Sequence, residues 1–188
     1  MIPRYLFIED QKYDLGMEFN NLKVPTGLSD GEDGPKEIVC NVKKFTPTEG
    51  DENNNFITYF LENQEYYEQR ANVYGYADDP IRWTLLCRGA LEFIKQSRSW
   101  VPDVIVCLDW QAGLIPNYLK TTYSKDLVLG KIATIFSIHN LFFQGMFDHH
   151  FVSEMDFDDG HSAIPSIFNP RLSKLNLIRR GKMYADIV

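Results

Sequence analysis

Ile132-Ala133-Thr134-Ile135-Phe136-Ser137-Ile138-His139-Asn140-Leu141-Phe142-Phe143-Gln144-Gly145 is the stretch on which the fold turns. Its first half is short, apolar and rich in branched side chains, with Gly130-Lys131 before it and His139-Asn140 after it. That pattern predicts a buried strand over Ile132–Ile138. Upstream, Val104–Leu108 has the same character and ends in Asp109-Trp110-Gln111. Open α/β sheets bind ligands outside the carboxyl ends of their strands. Two neighbouring strands ending in such residues predict one polar constellation, with Asp109, Trp110, His139 and Asn140 as its candidates.

The segments around these strands set the fold class. Asp78 or Asp79 is placed to cap a helix with Pro80 in its first turn, where proline is tolerated. Ile81, Leu85, Leu86, Gly89, Ala90, Phe93 and Ile94 then recur at helical spacing, which predicts one face packed on a sheet. Trp110–Tyr123 reads as a second helix, with Leu114, Ile115, Tyr118 and Leu119 inward and Pro116 near its first turn. Helix, strand, helix, strand is the alternation of a parallel sheet with right-handed crossovers, so the class is α/β, a Rossmann-like parallel sheet with flanking helices.

Nearer the start, Ile2–Ile8 is apolar, and residues 9–35 are polar and interrupted by Gly27, Gly31, Gly34, Pro25 and Pro35, which reads as irregular chain. Ile38–Phe45 and Phe56–Leu61 read as strands able to pair across the loop Pro47–Asn55. Glu62–Arg70 predicts a loop with one helical turn, and Asn72–Tyr76 a turn with exposed aromatics. Beyond Gly145, residues 147–170 look irregular, Leu172–Tyr184 has helical spacing, and Ala185–Val188 resembles the start of a strand. The chain looks cut at both ends.

A chain of 188 residues suffices for one domain with its own core. Its 44% hydrophobic and 24% charged residues are ordinary for a globular protein. A formal net charge of −7 argues against a non-specific binder of nucleic acid or anionic membrane and leaves a local phosphate site open. No run approaches the about 18 apolar residues of a membrane helix, and no signal peptide follows Met1. Cys40, Cys87 and Cys107 lack metal spacing and read as reduced core residues of a cytoplasmic protein.

Asp109 has two compatible roles: capping the helix that follows, and accepting hydrogen bonds from sugar hydroxyls with its other oxygen. Trp110 suits packing or ligand contact. His139 can donate and accept at once. Asp148, His149 and His150 match no metal site and read as a solvated turn, as does His161. Asp156-Phe157-Asp158-Asp159-Gly160-His161 is too short for a calcium loop. There is no G-x-S-x-G, phosphate loop, G-x-G-x-x-G or H-E-x-x-H. The remaining polar groups suit polyhydroxyl recognition rather than covalent catalysis, and no metal or cofactor is expected.

Several strings together resemble the bacterial glycogen synthase and plant starch synthase family, glycosyltransferase family 5. They are Pro102–Lys120 with its Asp109-Trp110-Gln111, Ile135–Phe147 with His139-Asn140-Leu141 and Gln144-Gly145, Tyr74–Trp83, Phe60–Asn63, and Arg180–Asp186. The resemblance is strong over residues 56–188 and loose before them. It implies a GT-B fold, two Rossmann-like domains with a cleft between them, of which residues 1–188 are a partial, acceptor-side N-terminal domain. It implies transfer of glucose from ADP-glucose or UDP-glucose to the non-reducing end of an α-1,4-glucan with retention. His139, as the catalytic candidate, and Asn140 would line the glucose pocket, Asp109 and Trp110 would border it, and Tyr74 would lie near the donor. Gln111 stands at a variable position. The family's Lys-x-Gly-Gly-Leu loop and C-terminal domain are absent from this sequence, so the chain alone is expected to be inactive. The competing readings are a non-catalytic glucan-binding module and a different GT-B glycosyltransferase.

Overall fold

The computed structural model describes residues 1–28, 30–31, 33–47, 56–97, 100–147 and 175–188. Its longest helix, α2 (Asp79–Ser97), lies between two hydrophobic cores. Trp83, Leu85, Leu86 and Phe93 face one core, while Cys87, Leu91 and Ile94 face the other. The single apolar face expected from the spacing is therefore too narrow a description. Even Arg82, Arg88 and Glu92 are buried, because the helix has protein on most sides. Such groups need partners inside. Glu92 accepts hydrogen bonds from the Tyr123 hydroxyl (2.6 Å) and Gln96 Nε2 (2.9 Å).

On one side of α2 is a four-stranded sheet made of β1 (Ile2–Pro3), β2 (Gly16–Pro25), β3 (Glu37–Phe45) and β4 (Thr58–Glu62), in the order β1-β4-β3-β2. β3 and β4 form the expected antiparallel pair, and β1 lies parallel to β4. β2 corrects the reading of residues 9–35 as irregular, as does the short helix α1 (Asp10–Tyr13). Leu22 and Val24 alternate inward toward the core, as a half-buried strand requires. The Asn20-Asn21 pair that obscures the pattern falls at a register shift between Phe19 and Leu22, where Asn21 has φ 56°. A bulge of this kind leaves a residue unpaired in the ladder. Here the Asn21 N–H is taken by Asn41 Oδ1 at 3.1 Å.

On the other side of α2, β5 (Val104–Leu108) and β6 (Ala133–Ser137) pair in parallel, Val104 opposite Ala133 through Leu108 opposite Ser137. The segment between them is not one helix. A 3₁₀ turn, Trp110–Ala112, is followed by α3 (Leu114–Lys120), with Pro116 inside its first turn. The chain's last residues extend the parallel set, since Ile187 bridges Ile135 and its carbonyl accepts the Phe136 N–H at 2.8 Å. The short pair β7 (Met146–Phe147) and β8 (Leu175–Asn176) leads into α4 (Leu177–Tyr184), shorter than the helix expected over 172–184.

The expected α/β class, with parallel strands and flanking helices, is present together with the antiparallel hairpin. An apolar groove of about 860 Å³ runs between β1 and β5, which do not pair; Ile2, Val104, Val106 and Leu108 line it. Cys40, Cys87 and Cys107 are buried free thiols, each pushed up to about 12 chiefly by burial. Among the described residues, no helix is long and apolar enough to cross a membrane.

Candidate functional site

β5 and β6 end side by side, and Asp109 ties the ends together. Its backbone N–H donates to the Ser137 carbonyl at 2.9 Å, continuing the ladder by one residue. The chain then turns sharply, with Asp109 at φ 52° and ψ −169°. This turn brings carboxylate Oδ1 against the neighbouring strand end, where it accepts the N–H groups of His139 (2.7 Å) and Asn140 (3.1 Å). Bonds to an ionised acceptor are the stronger kind. Asp109 occupies the N-cap position of the following turn but makes no side-chain capping bond there. The expected cap is thus replaced by a link between residues thirty apart in sequence.

His139 and Asn140 are exposed on the loop beyond this link. The His139 ring Nε2 lies 3.0 Å from Ser137 Oγ, and Asn140 Oδ1 accepts the Phe142 N–H at 2.9 Å, shaping a tight local turn. Leu141, Phe142 and Phe143 project outward, Phe142 being 86% exposed. The loop is fastened again at its far end. The Gln144 and Gly145 carbonyls accept the first N–H groups of α4, from Ile178 (3.2 Å) and Leu177 (3.1 Å). Gln144 Oε1 also accepts from Asn176 Nδ2 at 2.8 Å. Helix starts leave N–H groups without intrahelical partners, and this loop supplies acceptors for them.

Trp110 is half-buried beneath the loop. It meets Trp83 edge-on at 5.5 Å and Phe147 at 5.7 Å between ring centroids. Gly145 (φ 59°) crosses directly over it, and a Cβ at that position would lie 2.6 Å from Trp110 Cε3. Only a residue without a side chain allows this approach. Packing is therefore a main use of Trp110, and it also lines an open cavity of about 900 Å³ together with Tyr74, Asp79, Phe142, Phe143 and Asn176.

The structure thus sorts the candidates into two groups joined by the loop 139–145. Tyr74 and Trp110 share the cavity. Asp109 instead borders the β1–β5 groove, and His139 and Asn140 line neither. The sequence reading missed how Tyr74 is held. Asp79 is not simply a cap: its Oδ2 accepts the N–H groups of Gly75 (2.6 Å) and Tyr76 (3.2 Å). Arg82, fully buried, donates to Asp79 Oδ1 (2.6 Å), the Tyr66 carbonyl (2.7 Å) and the Val73 carbonyl (3.0 Å). An Asp and Arg three apart at a helix start was the available signal, and it reads equally well as an ordinary helical ion pair.

Among the described residues, no group of three or more His, Cys, Asp or Glu could hold a metal. Asp148, His149, His150, Asp156–His161 and the rest of residues 148–174 lie outside the described residues, as do residues 48–55 of the hairpin loop.

Comparison with known proteins adds to this geometry. The family model for the starch synthase catalytic domain matches residues 1–188. A glycogen synthase of Geotalea daltonii is 37% identical over 139 residues, 69% of this chain and 27% of the relative. One of Desulforudis audaxviator is 28% identical across 100% of this chain and 35% of the relative. The catalytic domain of starch synthase IV from Arabidopsis thaliana, solved bound to ADP and acarbose, superposes with a TM-score of 0.77 at 22% identity, over 100% of this chain and 36% of that one. The chain therefore spans about a third or less of the length of the relatives it matches.

Proposed function

This chain belongs to the starch synthase catalytic-domain family, and from that premise we propose that it forms the acceptor-side wall of a retaining glucosyltransferase site. The donor is ADP-glucose or UDP-glucose, and the acceptor is the non-reducing end of an α-1,4-glucan. The observation that carries the reading is the loop 139–145. It is fixed at one end by Asp109 and at the other by α4, and Phe142 and Phe143 in its middle line the same cavity as Tyr74 and Trp110. Exposed aromatic rings beside hydrogen-bonding groups suit a sugar, whose faces are apolar and whose rim is polar. The acarbose and ADP bound to the Arabidopsis domain support the same ligand classes here.

In this reading His139 and Asn140 hydrogen-bond the transferred glucose, Tyr74 stands near the donor, and Trp110 borders the pocket while supporting Gly145. Asp109 acts mainly through the backbone, because its Oδ1 already accepts both loop N–H groups. Charge develops on the departing diphosphate and on the oxocarbenium-like sugar, and fixed dipoles aimed at those charges supply the catalysis. The chain by itself binds glucan but does not complete the transfer.

Titration of acarbose and a linear α-1,4-oligosaccharide into the chain tests this. Binding is expected, with Tyr74→Ala and Asn140→Ala each weakening it about tenfold, the equivalent of roughly one good hydrogen bond. Absence of binding, or indifference to both substitutions, overturns the proposed site. Glucan-dependent nucleotide release from either donor by the isolated chain would overturn its dependence on further polypeptide. Binding without transfer even in a longer polypeptide would favour a glucan-binding module.

A further inference from the structure

We propose that Asp79 and Arg82 are positioning residues that hold the loop 72–76 so that Tyr74 stands in the cavity. The inference rests on the reading that Tyr74 meets a ligand. The contacts fall on the loop residues around Tyr74 and pass over Tyr74 itself. The Asn72 N–H donates to the Tyr76 hydroxyl at 3.0 Å. The Val73 carbonyl accepts from Arg82 (3.0 Å) and from the Tyr5 hydroxyl (3.1 Å). Gly75, at φ 103°, and Tyr76 give their N–H groups to Asp79. The Tyr76 ring is flanked by the guanidinium groups of Arg70 and Arg82, each 5.0 Å from its centroid, a favourable cation–π arrangement. Tyr74 is left 61% exposed at the cavity wall.

A buried ion pair is a poor source of net stability, since desolvation offsets most of the attraction. Arg82 and Asp79 are 0% and 6% exposed. Asp79 gives its other oxygen to this loop, and Arg82 divides its remaining donors among Val73 of the loop, the Tyr66 carbonyl and the Tyr5 hydroxyl, which itself donates to Val73. The arrangement suits conformational specificity: a loop set before binding does not have to be ordered by the ligand.

The test is a double-mutant cycle on the full chain, read by acarbose titration, with the thermal melt confirming folding. Asp79→Asn keeps an acceptor oxygen and is expected to weaken binding about tenfold, within the range for groups in one network. In a Tyr74→Ala background the same change should cost less than twofold, because the residue through which Asp79 acts is gone. Hydrogen exchange gives a readout without ligand: the Gly75 and Tyr76 amides should exchange at least about tenfold faster in Asp79→Asn, while amides of α3 stay unchanged. If Asp79→Asn fails to melt cooperatively, Arg82→Lys replaces it. Lysine keeps the charge but lacks the planar fork that serves Asp79, Val73 and Tyr66 together. Additive losses in the cycle, or unchanged exchange at Gly75 and Tyr76, overturn the inference. Unchanged affinity in Tyr74→Ala removes the ligand role of Tyr74, and the positioning role with it. A loss in Tyr74→Ala with none in Asp79→Asn removes the positioning role alone.

Discussion

Asp79 and Asp109 are built alike and placed differently. Each gathers two consecutive backbone N–H groups on one carboxylate oxygen: Gly75 and Tyr76 for Asp79, His139 and Asn140 for Asp109. Each thereby fixes a loop that carries a candidate sugar-contacting residue. Asp79 is sealed against the fully buried Arg82, whereas Asp109 stays half-buried and has no ion-pair partner among the described residues. The same hydrogen-bond pattern therefore has two energetic settings. In the dry setting, loss of a partner strands a charge; in the wetter one, water can replace what is lost.

The strongest way to break the comparison is to remove Arg82. Arg82→Ala leaves the Asp79 carboxylate buried without its counter-ion, takes the guanidinium donor from the Tyr66 carbonyl, and leaves the Val73 carbonyl with the Tyr5 hydroxyl. The expected destabilisation is about 3–5 kcal/mol, measured by urea unfolding. A loss below about 1 kcal/mol would mean that water reaches Asp79 as readily as Asp109, and the two settings would then be one.

Gly145→Ala comes next. It acts on the far end of the Asp109-linked loop, where an added Cβ meets the Trp110 ring. Overpacking of this kind costs about 1–3 kcal/mol, and a fluorescence shift from the displaced indole should accompany it. A normal melt with unchanged fluorescence would show that the loop is not pinned against Trp110.

Asp109→Asn should be milder still. The amide oxygen can accept one or both N–H groups, and the site is partly wet, so about 1 kcal/mol is expected. Acarbose affinity should fall more than stability does, because His139 and Asn140 move with the link. If Asp109→Asn destabilised as much as Arg82→Ala, burial would not be what separates the two carboxylates.

What the sequence revealed of this site follows from the range of each interaction. The branched runs Val104–Leu108 and Ile132–Ile138 announce β5 and β6 because strand composition is local, and their adjacent ends place Asp109 near His139 and Asn140. The bond itself joins residues 109 and 139, and no local pattern encodes which oxygen meets which N–H. Pro80 and the apolar spacing after it mark α2, yet the spacing hides that Arg82 turns back to the preceding loop. The irregular reading of residues 9–35 rests on their polarity and on Gly and Pro residues that lie at or beyond the end of β2, while Asn20-Asn21 within the strand marks a bulge. Trp110 reads as either packing or contact from sequence, and the close approach of Gly145 is what assigns it a structural share.

The smallest expected effect comes from a third carboxylate, which gathers one backbone N–H and one hydroxyl on a single oxygen. Asp186 Oδ2 accepts the Thr134 N–H (2.8 Å) and hydroxyl (3.0 Å), while Oδ1 accepts from Lys120 at 2.7 Å. The Lys120 bond, followed by those from Thr134, holds its carboxyl below the ordinary 3.8 despite some opposing desolvation. A carboxylate with a lowered folded value stabilises fully above the unfolded value and loses that contribution as pH falls through the folded one. Fastening of the last residues to β6 should therefore be complete at neutral pH and weaken only as acid carries the solution below the ordinary carboxylate range. Exchange of the Ile187 amide, which donates to the Thr134 carbonyl at 3.1 Å, reports this directly. Lys120→Met should shift the onset of faster exchange toward higher pH with little change in the global melt, since both side chains are more than a third exposed. An onset unmoved by the substitution would leave the Thr134 bonds as the main hold. Asp186 would then resemble Asp109, a carboxylate that works through backbone N–H groups with no cation needed, and the dependence on a cationic partner would belong to the buried Asp79 alone.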